Sequence, residues 1–206
     1  MNLELPQSLR DVVSSGAVQS DARATIAEAV KQILTAAGED PQREGLRDTP
    51  LRVAKMFEEL FSGLAEDPRD HLQTQFSDDQ HEDMVIVKDI RFYSVCEHHL
   101  VPFFGKAHVA YIPQGGRLTG LSKIARVVQT VARRPQLQER LNSQIVDAMW
   151  DALKPKGVLA MVEAEHMCMA MRGIRSPDSS TLTVVSRGTL ETDQVLRAET
   201  FKLLRG

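Results

Sequence analysis

Three of the chain's six histidines lie within three positions of its two cysteines. One group is Cys96-Glu97-His98-His99 and the other is His166-Met167-Cys168. Thiolate and imidazole at such short separations are the ligand types that zinc prefers. Cys96 and His99 are separated by two residues, so a turn can aim both at one ion. If the stretch around Cys168 is a strand, alternation puts His166 and Cys168 on one face. The two groups together could supply three protein ligands. That would leave a fourth position open, the mark of a catalytic rather than a structural zinc, where the pKa of water falls to about 7. A plainer reading stands beside this one, because two cysteines are often just small buried hydrophobes. The pattern also lacks a second Cys-x-x-Cys. His108, His71 and His81 read as ordinary surface or core histidines.

A second cluster suits an anion. Ser122, Lys123 and Arg126 fall within one sector of a helix surface at ~100° per residue, near the start of that helix. A helix N-terminus with Lys and Arg close by favours phosphate. Arg52 and Lys55 lie three apart on an earlier helix, and Arg172 follows the Cys168 segment. Taken singly, each of these cations is more often a solvated surface charge.

The elements that must position these groups can be read from periodicity. From Asp21, Ile26, Val30, Ile33 and Leu34 recur at helical spacing, with Gly38 as the stop. Thr49-Pro50 predicts a second helix start, Thr as cap and Pro in the first turn, with Val53, Met56, Phe57, Leu60 and Phe61 as its apolar stripe. Residues 65–83 are polar and acidic and read as a loop. Residues 84–95 and 106–112 are rich in strand formers, and 113–117 read as a turn. Two helices follow. The first has Ile124, Val127, Val128 and Val131 as its apolar face; the second has Leu137, Leu141, Ile145, Met149 and Leu153. Residues 158–171 are expected to form one long strand, 181–186 its partner, and the chain from Asp193 a last helix. Strand pairs separated by a helix pair give an α+β fold with an antiparallel sheet. Residues 1–19 are weakly patterned, which fits partial disorder.

Composition narrows the class. With 42% hydrophobic residues and no apolar run near the ~20 needed to span a bilayer, a globular chain with a real core is expected. The first residues lack a basic start followed by an apolar stretch, so no secretory signal is read and a cytoplasmic location is the default. The formal net charge of -3 gives no support for binding nucleic acid. In a reducing compartment, Cys96 and Cys168 are free for a metal or for packing rather than for a disulfide.

Longer strings add a resemblance. Cys96-Glu97-His98-His99, Gly120-Leu121-Ser122-Lys123, the run from Arg134 to Leu141, and the run from His166 to Gly173 together resemble GTP cyclohydrolase I, and residues 49–56 match that family's upstream helix. The resemblance covers about residue 20 to the C-terminus. It implies a tunnelling fold (antiparallel β-sheet with paired helices), here with an N-terminal helical region over 1–65 and a catalytic domain over 66–206. It also implies an allosteric homodecamer of two pentamers with active sites shared between subunits. The implied reaction is zinc-dependent hydrolysis of GTP to 7,8-dihydroneopterin triphosphate and formate, the entry to folate or other pterins. By motif, Cys96, His99 and Cys168 correspond to zinc ligands, and His98 and His166 to proton-transfer residues. Gln138 and Glu139 correspond to guanine recognition. Arg52, Lys55, Ser122, Lys123, Arg126 and Arg172 correspond to the triphosphate set. Arg187, before Gly188, and Leu190 depart from the apolar and aromatic residues expected there. Two competing readings are a tunnelling-fold nitrile reductase with a covalent cysteine, and a non-catalytic module closed around zinc by a fourth ligand.

Overall fold

The computed structural model describes residues 16–77 and 81–205, with side chains from residue 21 onward. The expectation for residues 1–19 falls largely outside them; residues 16–19 belong to a helix. The chain divides into two compact units, one ending at Ala65 and the other beginning at Glu66.

The first unit pairs helix α1 (Gly16–Ala36) with helix α2 (Thr49–Leu60). A bidentate ion pair joins them: the Arg23 guanidinium donates to both Glu58 oxygens at 2.6–2.7 Å. Gly38 follows α1 with φ +88, the left-handed conformation that ends helices and costs glycine least. Thr49 is not the cap of α2. Asp48 holds that place in a helical conformation without a side-chain hydrogen bond, and Pro50 occupies the first turn. The apolar stripe of α2 is only partly covered, with Met56 exposed.

The second unit is built on a five-stranded sheet of order β5-β2-β3-β6-β7. Its strands are β2 (Val85–Cys96), β3 (Pro102–Ile112), β5 (Pro135–Gln136), β6 (Gly157–His166) and β7 (Ser180–Gly188). All pairings are antiparallel except the short β5, which runs parallel to the end of β2. This is the α+β architecture expected from the sequence. Strand β1 (Gln75–Ser77) pairs antiparallel with β4 (Arg117–Thr119) in a separate ribbon. The span 65–83, read as loop, therefore carries structure. Pro68–Leu72 is a 3₁₀ turn whose Asp67 carboxylate accepts from the Arg69 N–H, and Leu72 is fully buried.

Helices α3 (Leu121–Ala132) and α4 (Gln138–Leu153) cover one face of the sheet. Ile124, Val127, Val128 and Val131 are completely buried, as are Leu141, Ile145 and Met149. Each such side chain contributes roughly 1.5–3 kcal/mol of transfer free energy. Lys154 ends α4 in a left-handed conformation (φ 46), and Pro155 prevents continuation. The helices stay in register with the strands through polar ties: the Ser94 hydroxyl, from β2, donates to the Ala132 carbonyl at the end of α3.

Strand β6 ends at His166, and Met167–Ala170 forms a helical turn, α5. The long strand to Met171 is thus shorter than its alternation suggests. Cys168 leaves the sheet instead of sharing a strand face with His166. The opposite face of the sheet is partly covered by α7 (Gln194–Arg205), which follows the short α6 (Thr189–Thr192). Leu190 of α6 is fully buried, so the smaller residue fills its place. Arg187 pairs with Asp147 at 3.1 Å.

Candidate metal and proton-transfer site

The β2–β3 hairpin delivers the first two candidate ligands. The Cys96 N–H donates to the Val101 carbonyl and the Leu100 N–H donates back to the Cys96 carbonyl, at 2.9 and 2.8 Å. Closing so tight a turn puts Leu100 at φ 53, a left-handed conformation that costs a branched residue energy. Cys96 is buried while His98 and His99 are exposed, with their rings edge-to-face at 6.2 Å. Cys168 arrives from the α5 turn. That turn is closed by the Met171 N–H to the Met167 carbonyl and by the Ser176 N–H to the Met169 carbonyl.

The ligand atoms of Cys96, His99 and Cys168 all lie within 4.8 Å of one another. Neighbouring corners of a tetrahedral zinc site are about 3.5 Å apart for the usual bond lengths, so small side-chain rotations close the set. Both cysteines are free thiols. Burial, reinforced by the neighbouring Cys96 sulfur, pushes the Cys168 thiol up. Two sulfurs held together in this way favour a divalent cation, which stabilises both as thiolates. The donor set therefore fits zinc.

His166 stands at the last position of β6, paired with Phe103 of β3. Their rings stack, centroids 4.7 Å apart and planes 2° from parallel. Gly105 helps bring these strands together, since a Cβ there would lie 1.9 Å from the Glu163 carbonyl oxygen. Burial pushes the His166 pKa down, opposed by the charge of Glu139. The His166 Nε2 lies 2.7 Å from the Gln138 side-chain oxygen. Gln138 itself is 2% exposed, and its amide nitrogen donates to Val162 O, Thr181 O and Thr183 Oγ1 at 2.9–3.2 Å.

A model of the family described as GTP cyclohydrolase I matches residues 26–205. The chain belongs to the GTP cyclohydrolase I family. The GTP cyclohydrolase 1 of Geobacillus sp. (strain WCH70) is 64% identical over 178 residues, covering 86% of this chain and 94% of that protein. The corresponding enzymes of Clostridioides difficile and Bacillus subtilis are 62% and 59% identical, covering 87% of this chain and 94% of theirs. Among solved structures, the apo form of the archaeosine synthase QueF-Like is similar over 51% of this chain and 93% of its own, at 21% identity and TM-score 0.43. No helix among the described residues is long and apolar enough to cross a membrane.

Against this family, the structure gathers Cys96, His99 and Cys168, and sets Gln138 against His166. Glu139 is exposed in the first turn of α4, close enough to act on His166. Arg172 is exposed just beyond α5. Ser122 and Arg126 are exposed on α3, with Lys123 half-buried. Arg52 and Lys55 belong to the other unit, on the exposed side of α2, where Arg52 pairs with Asp48 at 3.1 Å.

Two contributors had no role assigned from sequence. The Arg140 guanidinium donates twice to the Glu97 carboxylate and holds it well below the usual range. The Glu97 N–H donates to the Gln136 carbonyl at 3.1 Å. These bonds tie the Cys96–His99 turn to the start of α4. Phe103 is the other contributor, through its stack on His166. The Glu97 and Arg140 letters lie inside recognisable strings, but their pairing depends on tertiary placement.

Proposed function

We propose that this chain hydrolyses GTP to 7,8-dihydroneopterin triphosphate and formate, using a zinc ion held by Cys96, His99 and Cys168. The observation that carries the reading is the convergence of one imidazole and two sulfurs within 4.8 Å, drawn from two distant segments of a family member. Zinc bound there supplies a Lewis acid and a water whose pKa is near 7. The cluster comprises three ligands among the described residues, which supports an open coordination position over a closed structural site.

The chain's own groups supply the rest. Guanine C8 is a poor electrophile at neutral pH, and a proton delivered to N7 improves it. His98 and His166 are the groups for proton transfer, imidazole being the side chain that most readily gains and loses a proton near neutral pH. The Glu139 carboxylate, which makes no side-chain hydrogen bond among the described residues, suits the ring N–H and amine donors of guanine. Lys123, Arg126 and Arg172 likewise have side chains free of hydrogen bonds and ion pairs among the described residues. With Ser122 they are assigned to the triphosphate, and the family motif alone adds Arg52 and Lys55 of the first unit. The N-cap of α3, Gly120, has no capping side chain, which suits a phosphate at that end.

The active assembly on this reading is a homodecamer with sites shared between subunits, its catalytic domain running from 66 to 206 behind an N-terminal helical region. In support, β7 and most of β2 have outer edges with no strand partner among the described residues. Such edges invite pairing with another copy. The free thiols fit a reducing cytoplasm.

The test is formate release from GTP by purified protein, with a product that becomes fluorescent on oxidation. A chelator should abolish the release and added zinc restore it. No formate from zinc-loaded protein would end the assignment. Release untouched by the chelator would remove the metal from it.

A further inference from the structure

We propose that Gln138 is a positioning residue that fixes the proton of neutral His166 on Nε2, leaving Nδ1 as the ring's proton-exchanging atom. The proposal rests on the reading of His166 as a proton-transfer group. It departs from the expectation that Gln138 recognises guanine.

The argument is a count of donors and acceptors. Gln138 is buried at the N-terminus of α4, and its side chain reaches between β6 and β7. Its nitrogen faces three acceptors, the Val162 and Thr181 carbonyls and the Thr183 hydroxyl. An amide nitrogen carries two hydrogens, so its capacity is fully used. Turning the amide over would put its oxygen against two carbonyl oxygens, neither of which can donate. The orientation is therefore set by backbone of two strands, independently of any ligand. That leaves the amide oxygen, which can only accept, 2.7 Å from His166 Nε2. A hydrogen bond at this distance requires the proton on Nε2. In the neutral ring Nδ1 then bears the lone pair, so a proton gained or given to substrate passes through Nδ1. The Phe103 stack fixes the ring plane, and the two contacts together leave the ring one orientation.

The same count sets Gln138 apart from a base-contacting residue. At 2% exposure, with both amide hydrogens engaged, its side chain has no donor left to offer guanine without breaking the sheet contacts. Removing the partner that orients a metal-ligating histidine costs about 10–100-fold, and the same span is expected for the partner of His166.

Two measurements on the zinc-loaded enzyme test this. In the parent protein with 15N-labelled histidine, assigned by difference against His166→Gln, nitrogen NMR at pH 8 should show His166 protonated at Nε2 and bare at Nδ1. The opposite tautomer overturns the proposal, and this arm needs no variant of Gln138 to fold. In Gln138→Met, which keeps length without hydrogen bonding, kcat should fall about 10–100-fold with KM within threefold of the parent. A KM raised tenfold or more, or a kcat within twofold of the parent, overturns it. Failure of the parent to release formate would strike the proposed function instead. The tautomer could still be read in that protein.

Discussion

Two histidines in the same sheet, His166 and His108, share burial and differ in what surrounds them. His108 lies in the middle of β3 at 6% exposure, His166 at the end of β6, half-buried. Desolvation pushes both imidazoles down. Around His166 are an amide that accepts from Nε2, an aromatic ring in the stacking plane and a turn carrying Cys168. Around His108 is a hollow of about 390 Å³ lined by Lys88, Asp89, Lys106, Glu163 and Arg205 among others. Among those charges Lys106 pairs with Asp89 at 2.8 Å, and the Lys88 ammonium donates to the Leu203 carbonyl. The Asp89 N–H donates to His108 Nδ1, at a bulge where Asp89 takes φ 57. The His108 lone pair is thereby spent on the backbone, whereas the Gln138 contact uses the proton-bearing side of His166. A depressed imidazole pKa is common to both rings; on the proposed reading, the lone pair left over is what sets His166 apart.

The largest effect that would break this contrast lies at the ligand set. Cys168→Ser should lose stoichiometric zinc, measured by metal analysis, and turnover with it. A loss of at least ~10³-fold is expected, since a bound metal accounts for several kcal/mol of charge stabilisation. Retained zinc would take Cys168 off the ligand list and leave His166 without the neighbour that distinguishes it. Next comes His166→Ala, which should keep its zinc and lose about 10²–10⁴-fold in turnover, the usual contribution of a general acid or base. Normal turnover in that variant would put His166 on the same footing as His108.

The sequence made parts of this contrast legible. Helical spacing of Ile124, Val127, Val128 and Val131, and of Leu141, Ile145 and Met149, located the two helices, because one face of each is wholly buried. The short separations in Cys96–His99 and His166–Cys168 pointed to the two segments that converge, and the resemblance picked out Cys96, His99 and Cys168 within them. The reach of β6 was misread because Val158 to Ala170 continues a period-two pattern past the point where the chain turns. Met-Cys-Met-Ala suits a helix, and the left-handed Gly173 (φ 61) follows shortly after. The contacts of Gln138 and His108 were out of reach for a different reason. Each depends on which backbone groups the strand register brings alongside: Thr181 and Val162 for one, the Asp89 bulge for the other.

The smallest expected effect concerns His108, and its sign follows from the buried ring. Folding lowers the pKa of His108 below the ordinary 6.5, chiefly by desolvation, with Asp89 and Glu163 opposing and Lys88 and Lys106 assisting. The unfolded chain therefore binds a proton at higher pH than the folded one. The stabilising contribution is complete above pH ~6.5 and is lost as pH falls toward the folded value. Protonation of Nδ1 would also end its bond from the Asp89 N–H. His108→Gln, whose side-chain oxygen can still accept that N–H, should show a shallower loss of stability between pH 7 and 5.5. Urea midpoints at one fixed protein concentration measure it, a fixed concentration being needed because assembly itself stabilises the folded state. Turnover at pH 8 should stay within about threefold of the parent, a span of ~0.6 kcal/mol that local repacking alone can produce. A parallel pH slope in parent and variant would show that the His108 ring gives up its proton no differently folded than unfolded. A collapse of turnover would show that the hollow beneath it serves the reaction after all.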